Sequence, residues 1–312
     1  MRNVLERLEP SARVAIIRLR SLGDCVLTTP AISLLKHARP DLSIAVVVEP
    51  RFAPLFEGNP DIDRIMAPGA GEIAAWRPEL AINLHGGATS AWLTLASRAR
   101  WRAGFAHFRF RAIYNVRIGR AQEILGVDRT VHTAEHVASA MFFLGVPQSD
   151  IPRARLFAEP RPRNRPYAVL HPFASASDKT WPAANFLAVA ASLDQQFGFE
   201  PVFIAGPGED LSEFVSFTTV AGSSLAGVKS IIAGASLFVG NDSGPAHIAA
   251  AFGRPVVVLF GSSNADIWRP WRTESQVLAS PEGIHSVRVA EAIDAIERLL
   301  VAHPAASIPQ TR

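Results

Sequence analysis

The residues with the clearest capacity for chemistry form the stretch 240–247, Gly-Asn-Asp-Ser-Gly-Pro-Ala-His, which follows a short apolar run. Pro245 suits the first helical position and Asp242 or Ser243 the cap before it, so the pattern predicts a strand, a tight polar loop and a helix N-terminus. Such a helix end offers free N–H groups to an anion. Because Asp242 adds a carboxylate, the loop suits a ligand with both phosphate and hydroxyl groups, such as a nucleotide sugar. From these residues alone, an ordinary loop with a capping aspartate explains the pattern equally well.

Two charged side chains lie just after predicted strands. Asp24 lies where a strand leads to a helix, and a carboxylate there can act as a general base if it faces a cleft. Lys179 lies in a long polar loop, where its ammonium group could neutralise a phosphate. The alternatives are a helix cap for Asp24, which the local sequence favours, and a solvated surface lysine. Backbone amides beside the lysine could add hydrogen bonds, and they belong to Ser175, Ala176 and Ser177.

Other polar motifs have simpler alternatives. Gly206-Pro207-Gly208-Glu209 follows a strand, and its glycines would let a base or ribose approach the backbone while Glu209 binds ribose hydroxyls. An ordinary turn also accounts for it. His247 lies inside a predicted helix and could be a core histidine with a backbone partner, whereas His85, at the end of a strand, could face the cleft. Asp61-Ile62-Asp63 resembles a metal-binding D-x-D motif, but Asn59-Pro60 before it indicates a turn. We find no His, Cys or carboxylate cluster with metal-ligand spacing and predict no metal.

The composition limits the class of protein. The chain has 312 residues, 48% of them hydrophobic, which is enough for two domains with ample cores. The single cysteine, Cys25, excludes an internal disulfide and fits a reducing compartment. We find no signal peptide and no apolar run of about 18 residues that could span a membrane. We therefore expect a soluble, cytoplasmic protein.

The basic residues are mostly arginines, since only three of the 31 are lysines. A guanidinium group binds carboxylates and phosphates with paired hydrogen bonds, so a local cluster of arginines suggests an anionic partner. High arginine content can also reflect genome composition. We find no nucleic-acid-binding motif. The cluster comprises Arg98, Arg100, Arg102, Arg109, Arg111, Arg117 and Arg120.

Apolar runs of strand length alternate with helical patterns along most of the chain, which predicts parallel sheets with right-handed crossovers. The pattern is least regular over 98–135. Five prolines over 146–166 mark a linker. We predict an α/β fold of two doubly wound, Rossmann-like domains, residues 1–155 and 156–302, followed by a frayed tail over 303–312.

Taken in order, these motifs resemble glycosyltransferase family 9, the ADP-heptose:lipopolysaccharide heptosyltransferase family. The ordered set extends across nearly the whole chain. It consists of Ile-Arg-Leu-Arg-Ser-Leu-Gly-Asp over 17–24 with Thr28-Thr29-Pro30, Asn59-Pro60 with Asp63, His171-Pro172 with Lys179 and Trp181-Pro182, Gly206-Pro207 with Glu209, and 240–247 with Ala249-Ala250.

The resemblance implies a GT-B fold, in which two Rossmann-like domains face each other across the active-site cleft. It also implies that the last helix, 287–300, packs back on the first domain. The implied reaction is an inverting, metal-independent sugar transfer, with Asp24 as the general base that deprotonates the acceptor hydroxyl. Lys179 would bind the donor phosphates and stabilise the leaving diphosphate, whose charge must be stabilised without a metal.

The same resemblance implies the rest of the donor site. Asp242 would bind sugar hydroxyls, and Gly206, Pro207 and Glu209 would contact the nucleoside. Backbone amides near 175–177 and at the start of the helix after Asp242 would help to hold the phosphates. The predicted donor-binding residues are therefore Ser175, Ala176, Ser177, Gly206, Pro207, Glu209, Asp242, Ser243, Gly244 and His247.

The expected partners are a nucleotide-sugar donor, most simply ADP-heptose, and an anionic glycan or glycolipid acceptor such as the lipopolysaccharide core. Peripheral contact with the inner face of the cytoplasmic membrane is a further expectation. A glycosyltransferase of the same family that uses another nucleotide sugar and acceptor is an alternative. Two further alternatives use the same fold: the first is a nucleotide-sugar epimerase or hydrolase, and the second is a binding module without turnover. The segment 98–120, rich in arginine and aromatic residues, favours an acceptor site over the first alternative. The presence of Asp24, Lys179 and Asp242 together argues against the second.

Overall fold

The computed structural model describes residues 3–302, and the chain divides into two compact units between Phe157 and Ala158. The division falls inside the predicted linker, 146–166. The predicted frayed tail, 303–312, lies outside the described residues. Each unit is an α/β structure built on its own parallel sheet.

The first unit has a six-stranded parallel sheet in the order β3-β2-β1-β4-β5-β6. Its strands are β1 Arg13–Ile17, β2 Ser43–Val47, β3 Arg64–Met66, β4 Leu80–Asn83, β5 Trp101–Phe105 and β6 Val116–Ile118. Its α-helices are α1 Leu22–Val26, α2 Thr29–Ala38, α3 Ala70–Trp76, α4 Ala88–Ala96, α5 Ala121–Leu125 and α6 Thr133–Leu144.

The second unit repeats this arrangement, with the strand order β12-β11-β10-β7-β8-β9 and parallel pairing throughout. Its strands are β7 Tyr167–His171, β8 Glu200–Ile204, β9 Thr218–Val220, β10 Leu237–Asn241, β11 Val256–Phe260 and β12 Ser275–Ala279. Its α-helices are α7 Ala183–Gln195, α8 Leu225–Gly234, α9 Gly244–Ala251, α10 Ala265–Trp268 and α11 Val289–Ala302.

The central strands are short, continuous apolar runs, as expected where helices cover both faces of a parallel sheet. Val-Ala-Ile-Ile of β1 and the whole of β4, β7, β10 and β11 are buried. The second core also includes Trp181 and Phe203, together with one face of α11. That face consists of Ala292, Ala295, Ile296 and Leu299, the three-to-four spacing of an amphipathic helix. The contact predicted between this last helix and the first domain stays a prediction.

Both sheets have the strand order 3-2-1-4-5-6 when each unit is numbered separately, which is the doubly wound Rossmann arrangement. In such a sheet the order in which successive strands are added reverses between the first and fourth strands, and ligands bind outside the carboxyl ends of these two strands. Here the two strands are β1 and β4 in the first unit, and β7 and β10 in the second. A ligand-binding site is therefore expected at the loops that follow these four strands.

Candidate active site

In the second unit, a buried asparagine at the end of β10 fixes the loop that follows β7. Asn241 is fully buried; its Oδ1 accepts a hydrogen bond from the Trp181 backbone N–H at 3.1 Å, and its Nδ2 donates to the Pro172 carbonyl at 2.9 Å. The Trp181 indole is also buried and donates to the Val287 carbonyl at 2.9 Å. The loop that carries Lys179 is therefore held at both ends.

Lys179 lies at the end of a 3-10 turn, Ser177–Lys179, and is half-buried, whereas Ser175, Ala176 and Ser177 are exposed. The end of β11 approaches this turn so closely that Gly261 has no room for a side chain. A Cβ there would lie 2.0 Å from the Asp178 carbonyl oxygen and 2.8 Å from the Lys179 Cα. Glycine at 261 thus lets the turn sit directly on the sheet edge.

The predicted helix N-terminus at α9 is present, but its cap differs from the prediction. Ser243 precedes the helix without making a side-chain cap hydrogen bond, and Pro245 is the second helical residue rather than the first. The Ser243 hydroxyl lies instead 3.1 Å from His171 Nδ1, at the end of β7. The first amides of α9 are therefore not capped by this serine. Gly244 is the first helical residue.

Asp242 lies in the same loop, and its backbone N–H donates to the Leu259 carbonyl at 2.9 Å. Burial raises the pKa of its carboxyl group, against the opposing effects of the Ser263 hydroxyl and the Lys179 charge. Trp181, two residues after Lys179, donates its backbone N–H to Asn241, the residue before Asp242, so the loops that carry these two predicted site residues are adjacent. A cation, a carboxylate and a helix N-terminus thus meet at the carboxyl ends of β7 and β10.

The loop after β8 joins the same edge through His171. Glu209 Oε2 lies 3.3 Å from His171 Nε2 and accepts a hydrogen bond from the Gly206 N–H at 2.6 Å. Burial opposes ionisation of Glu209, but the bonds from His171 and Gly206 outweigh it and lower the pKa of this carboxyl group. His171 therefore connects the predicted nucleoside loop, Gly206-Pro207-Gly208-Glu209, to the loop of Ser243. In the sequence, His171 is only part of the His171-Pro172 motif, and its local pattern does not indicate this connecting role.

His247, the last of the predicted donor-binding residues, is buried within α9. Its ring centre lies 6.4 Å from that of Trp268. This burial fits a core histidine better than an exposed binding group. The role of His247 in donor binding stays a prediction.

In the first unit, Asp24 lies on α1, beyond the end of β1. Ser21 is the residue that precedes the helix and Asp24 is its third residue, so Asp24 is not the cap. Its carboxylate is held by two side chains: Arg18 Nη1 lies 3.3 Å from Oδ1, and Ser21 Oγ donates to Oδ2 at 3.0 Å. Arg18 is buried, and the loss of hydration lowers its pKa, although the charge of Asp24 opposes that shift.

The loop after β4 is organised by a second buried asparagine. Asn83 Oδ1 accepts hydrogen bonds from the N–H groups of His85 at 2.9 Å and Gly86 at 3.0 Å. Its Nδ2 donates to Thr94 and Tyr114. Asn83 and Asn241 both end the fourth strand of their own sheet and hold a loop at the switch point, a correspondence that the sequence did not reveal.

Two half-buried histidines lie within the electrostatic influence of Asp24. Burial and the charges of Arg18 and Arg20 lower the pKa of His85, while Asp24 opposes that shift. Burial, His107 and Arg18 lower the pKa of His136 to about 4, again against Asp24. The His136 ring stacks on Phe105 with ring centres 4.2 Å apart. Burial thus favours the neutral form of both imidazoles.

The D-x-D sequence has a structural explanation. Asp63 accepts hydrogen bonds from Lys36 at 3.2 Å and from the Ile44 N–H at 2.7 Å, and Asn59 accepts one from the Asp61 N–H at 3.0 Å. These bonds confirm the turn predicted there. Among residues 3–302, no group of three or more His, Cys, Asp or Glu side chains is arranged to hold a metal ion. Over the same range, no helix combines the length and the apolar character needed to cross a membrane.

The chain is similar to known proteins in sequence. Residues 73–293 match the model of glycosyltransferase family 9 (heptosyltransferase). Lipopolysaccharide heptosyltransferase 3 of Escherichia coli is 29% identical over 300 residues, which cover 81% of this chain and 84% of that protein.

Solved structures share the fold. A family 9 glycosyl transferase from Veillonella parvula has a TM-score of 0.83 at 22% identity and covers 94% of this chain and 98% of that chain. The ADP-heptose lps heptosyltransferase II of E. coli has a TM-score of 0.78 at 19% identity, with 94% and 99% covered. The predicted fold class, α/β of the GT-B type, is confirmed.

Proposed function

Because the chain belongs to glycosyltransferase family 9, we propose that it transfers heptose from ADP-heptose to a lipopolysaccharide-core or related glycan acceptor, with inversion and without a metal ion. The observation that carries the proposal is the meeting of Lys179, Asp242 and the start of α9 at the switch point of the second sheet. The phosphates of ADP-heptose would bind Lys179 and the start of α9, and its sugar hydroxyls would bind Asp242. The E. coli relatives are named as lipopolysaccharide heptosyltransferases, which supports the same donor and acceptor class.

The donor would bind to the second unit. Lys179 would neutralise the diphosphate as a point charge, and the exposed turn 175–177 and the first amides of α9 would donate hydrogen bonds to its oxygens. Asp242 would accept hydrogen bonds from hydroxyls of the transferred sugar. Glu209, held by His171 and the Gly206 amide, would accept hydrogen bonds from the ribose.

Asp24 in the first unit would be the general base. In the proposed step, its carboxylate takes the proton of the acceptor hydroxyl while that oxygen attacks the anomeric carbon of the donor. The bond from the anomeric carbon to the diphosphate oxygen breaks, ADP leaves with the electron pair, and the configuration inverts. Lys179 and the helix amides would stabilise the charge that develops on the diphosphate, a role that a metal ion fills in other enzymes.

A panel of nucleotides and nucleotide sugars tests the donor. ADP and ADP-heptose are expected to raise the melting temperature of the protein, and UDP and GDP are not, because a ligand that binds only the folded state stabilises it. Stabilisation by UDP-sugars alone would refute the ADP-heptose assignment. Transfer that persists in EDTA would support the metal-free mechanism. Release of free sugar at the same rate with and without acceptor would favour a hydrolase.

The acceptor in this proposal is a glycolipid, and the proposed location is therefore the cytoplasm with peripheral contact at the inner membrane face. The support for this part is the basic, arginine-rich segment of the first unit.

A further inference from the structure

The first unit contains a long stretch without any negative charge. Between Glu79 and Glu123 the sequence has no aspartate or glutamate, yet it has seven arginines. The whole chain has 28 acidic residues, so a gap of this length concentrates positive charge in one part of the molecule. Six of these arginines are exposed, and those at 98, 100, 109 and 111 are the nearest of them on either side of β5.

The helix within this stretch has an unusual exposed face. The exposed residues of α4 are Ala88, Thr89, Trp92 and Leu95, and none of them is charged. Trp92 is 56% exposed and Leu95 is 54% exposed, and because they are three residues apart they lie on the same side of the helix. Exposed large apolar side chains that share a face mark an interaction surface more often than chance exposure does.

The apolar helix face and the arginines form one continuous region. Arg98 and Arg100 follow the end of α4 directly, and the 3-10 turn Arg111–Ile113 packs against that helix. Arg109 lies over the Phe110 ring, with its guanidinium carbon 5.6 Å from the ring centre. We call this region the α4 surface and define it as Trp92, Leu95, Arg98, Arg100, Arg109 and Arg111.

The α4 surface also adjoins the candidate base. The helix begins at Ala88, directly after the loop that follows β4, and β4 pairs in parallel with β1, the strand that leads to Asp24. Phe108, in the loop that carries Arg109, packs so tightly on Gly86 that an added Cβ would lie 2.6 Å from its ring. A partner bound to this surface would therefore reach the sheet edge where Asp24 lies.

We propose that the α4 surface docks the protein on an anionic lipid bilayer. A tryptophan and a leucine on one helix face suit the boundary between head groups and acyl chains, where tryptophan is enriched. Flanking arginines would bind the phosphates of acidic lipids, and the exposed face of α4 itself carries no carboxylate that would oppose this contact. The inference rests on the proposed function in one respect, namely that the acceptor is held in a membrane.

Vesicle flotation tests the proposal with the full chain. The wild-type protein should float with vesicles of phosphatidylcholine containing 30% phosphatidylglycerol, and much less with phosphatidylcholine alone. Partitioning should fall about 25-fold in the double variant Arg109→Gln/Arg111→Gln, because each arginine contributes about fivefold near such a surface. The variant Trp92→Gln/Leu95→Gln should lose about tenfold or more through its apolar contacts.

Matched substitutions elsewhere provide the controls. Val215, which is 73% exposed, and the exposed pair Arg288 and Arg298 lie in the second unit. Val215→Gln and Arg288→Gln/Arg298→Gln should float like the wild type. If the wild type does not bind the anionic vesicles at low salt, the proposal is wrong. It is also wrong if the control variants lose as much vesicle binding as the α4 variants.

Two further measurements separate other outcomes. If the wild type forms a concentration-dependent dimer that Trp92→Gln/Leu95→Gln dissociates, the surface binds a second copy and the proposal is overturned. Titration with ADP measures donor binding without vesicles, so it tests the proposed function separately from the membrane surface. Loss of flotation with intact ADP binding in the α4 variants supports the membrane surface, whereas a wild type that floats but binds no ADP contradicts the proposed function alone.

Discussion

Arg18 and Asp24 form a partly buried ion pair, with Nη1 of the arginine 3.3 Å from Oδ1 of the aspartate. Ser21 holds the other carboxylate oxygen at 3.0 Å, so both oxygens have a side-chain donor. The carboxylate is thus fixed in orientation at the carboxyl end of β1, and it remains partly exposed. A fixed, accessible carboxylate is what a general base for a hydroxyl group requires.

Lys179 is expected to contribute to donor affinity. Lys179→Ala should weaken ADP binding about 10- to 100-fold, because a charge-assisted contact to phosphate contributes roughly 1.5–3 kcal/mol. Isothermal titration with ADP measures the change. Lys229→Ala is not a suitable comparison because Lys229 is buried. The control is Lys36→Ala, at a half-buried lysine of the first unit that donates to the Leu42 carbonyl and to Asp63. Equal ADP affinity in Lys179→Ala and the wild type would remove Lys179 from the site.

Asn241 is expected to matter for stability and for the position of the Lys179 loop. Asn241→Ala would leave the buried Trp181 N–H and Pro172 carbonyl without their partner, at a cost of roughly 2–4 kcal/mol in the free energy of unfolding. Urea unfolding measures this. Asn264 is an exposed cap of α10, and Asn264→Ala should cost only about 1 kcal/mol. Similar losses in both variants would contradict the role assigned to Asn241.

His171 is expected to act as a positioning residue for ribose recognition. In His171→Phe the ring remains but Glu209 and Ser243 lose their bonds to it. If Glu209 binds the ribose, the wild type should prefer ADP to 2′-deoxy-ADP, and the variant should lose most of that preference. His37→Gln, at an exposed histidine, should retain it. An equal loss of affinity for both nucleotides in His171→Phe would indicate a purely structural role.

His136 is expected to make stability depend on pH. Its folded-state pKa, about 4, lies below the unfolded value of about 6.5, so the unfolded chain binds the proton more tightly. The stabilisation is fully present above pH 6.5 and is lost as the pH falls from 6.5 to 4, by on the order of 2–3 kcal/mol. Melting temperatures across this range should fall less steeply for His136→Gln than for the wild type. Parallel curves would contradict the assigned shift.

The sequence predicted the elements whose pattern is local. The apolar runs of β1, β4, β7, β10 and β11 are short, continuous and bounded by polar loops, and parallel pairing followed from their alternation with helices. Lys179 and Asp242 were each identified from a loop after a strand. The structure brings them together because β7 and β10 are neighbours in the sheet.

The rest depends on contacts between distant parts of the chain. The partners of His171 are 38 and 72 residues away, and Asn241 binds a backbone group 60 residues away. No local pattern carries such information. The segment 98–135 has a less regular sequence pattern, rich in arginine and aromatic residues, yet it contains β5, β6 and α5. These strands lie toward one edge of the sheet, where exposed arginines such as Arg117 are tolerated.

The central claim is that Asp24 is the base for sugar transfer, and the direct test is transfer by Asp24→Asn. Initial rates with ADP-heptose and truncated lipopolysaccharide-core acceptors should fall about 10²- to 10⁴-fold, the usual contribution of a general base. Affinity for ADP should remain within about twofold, since asparagine keeps the shape of the side chain and Asp24 lies outside the donor unit. Asp61→Asn, in the turn that mimics a metal motif, should transfer at the wild-type rate. Normal transfer by Asp24→Asn would contradict the account.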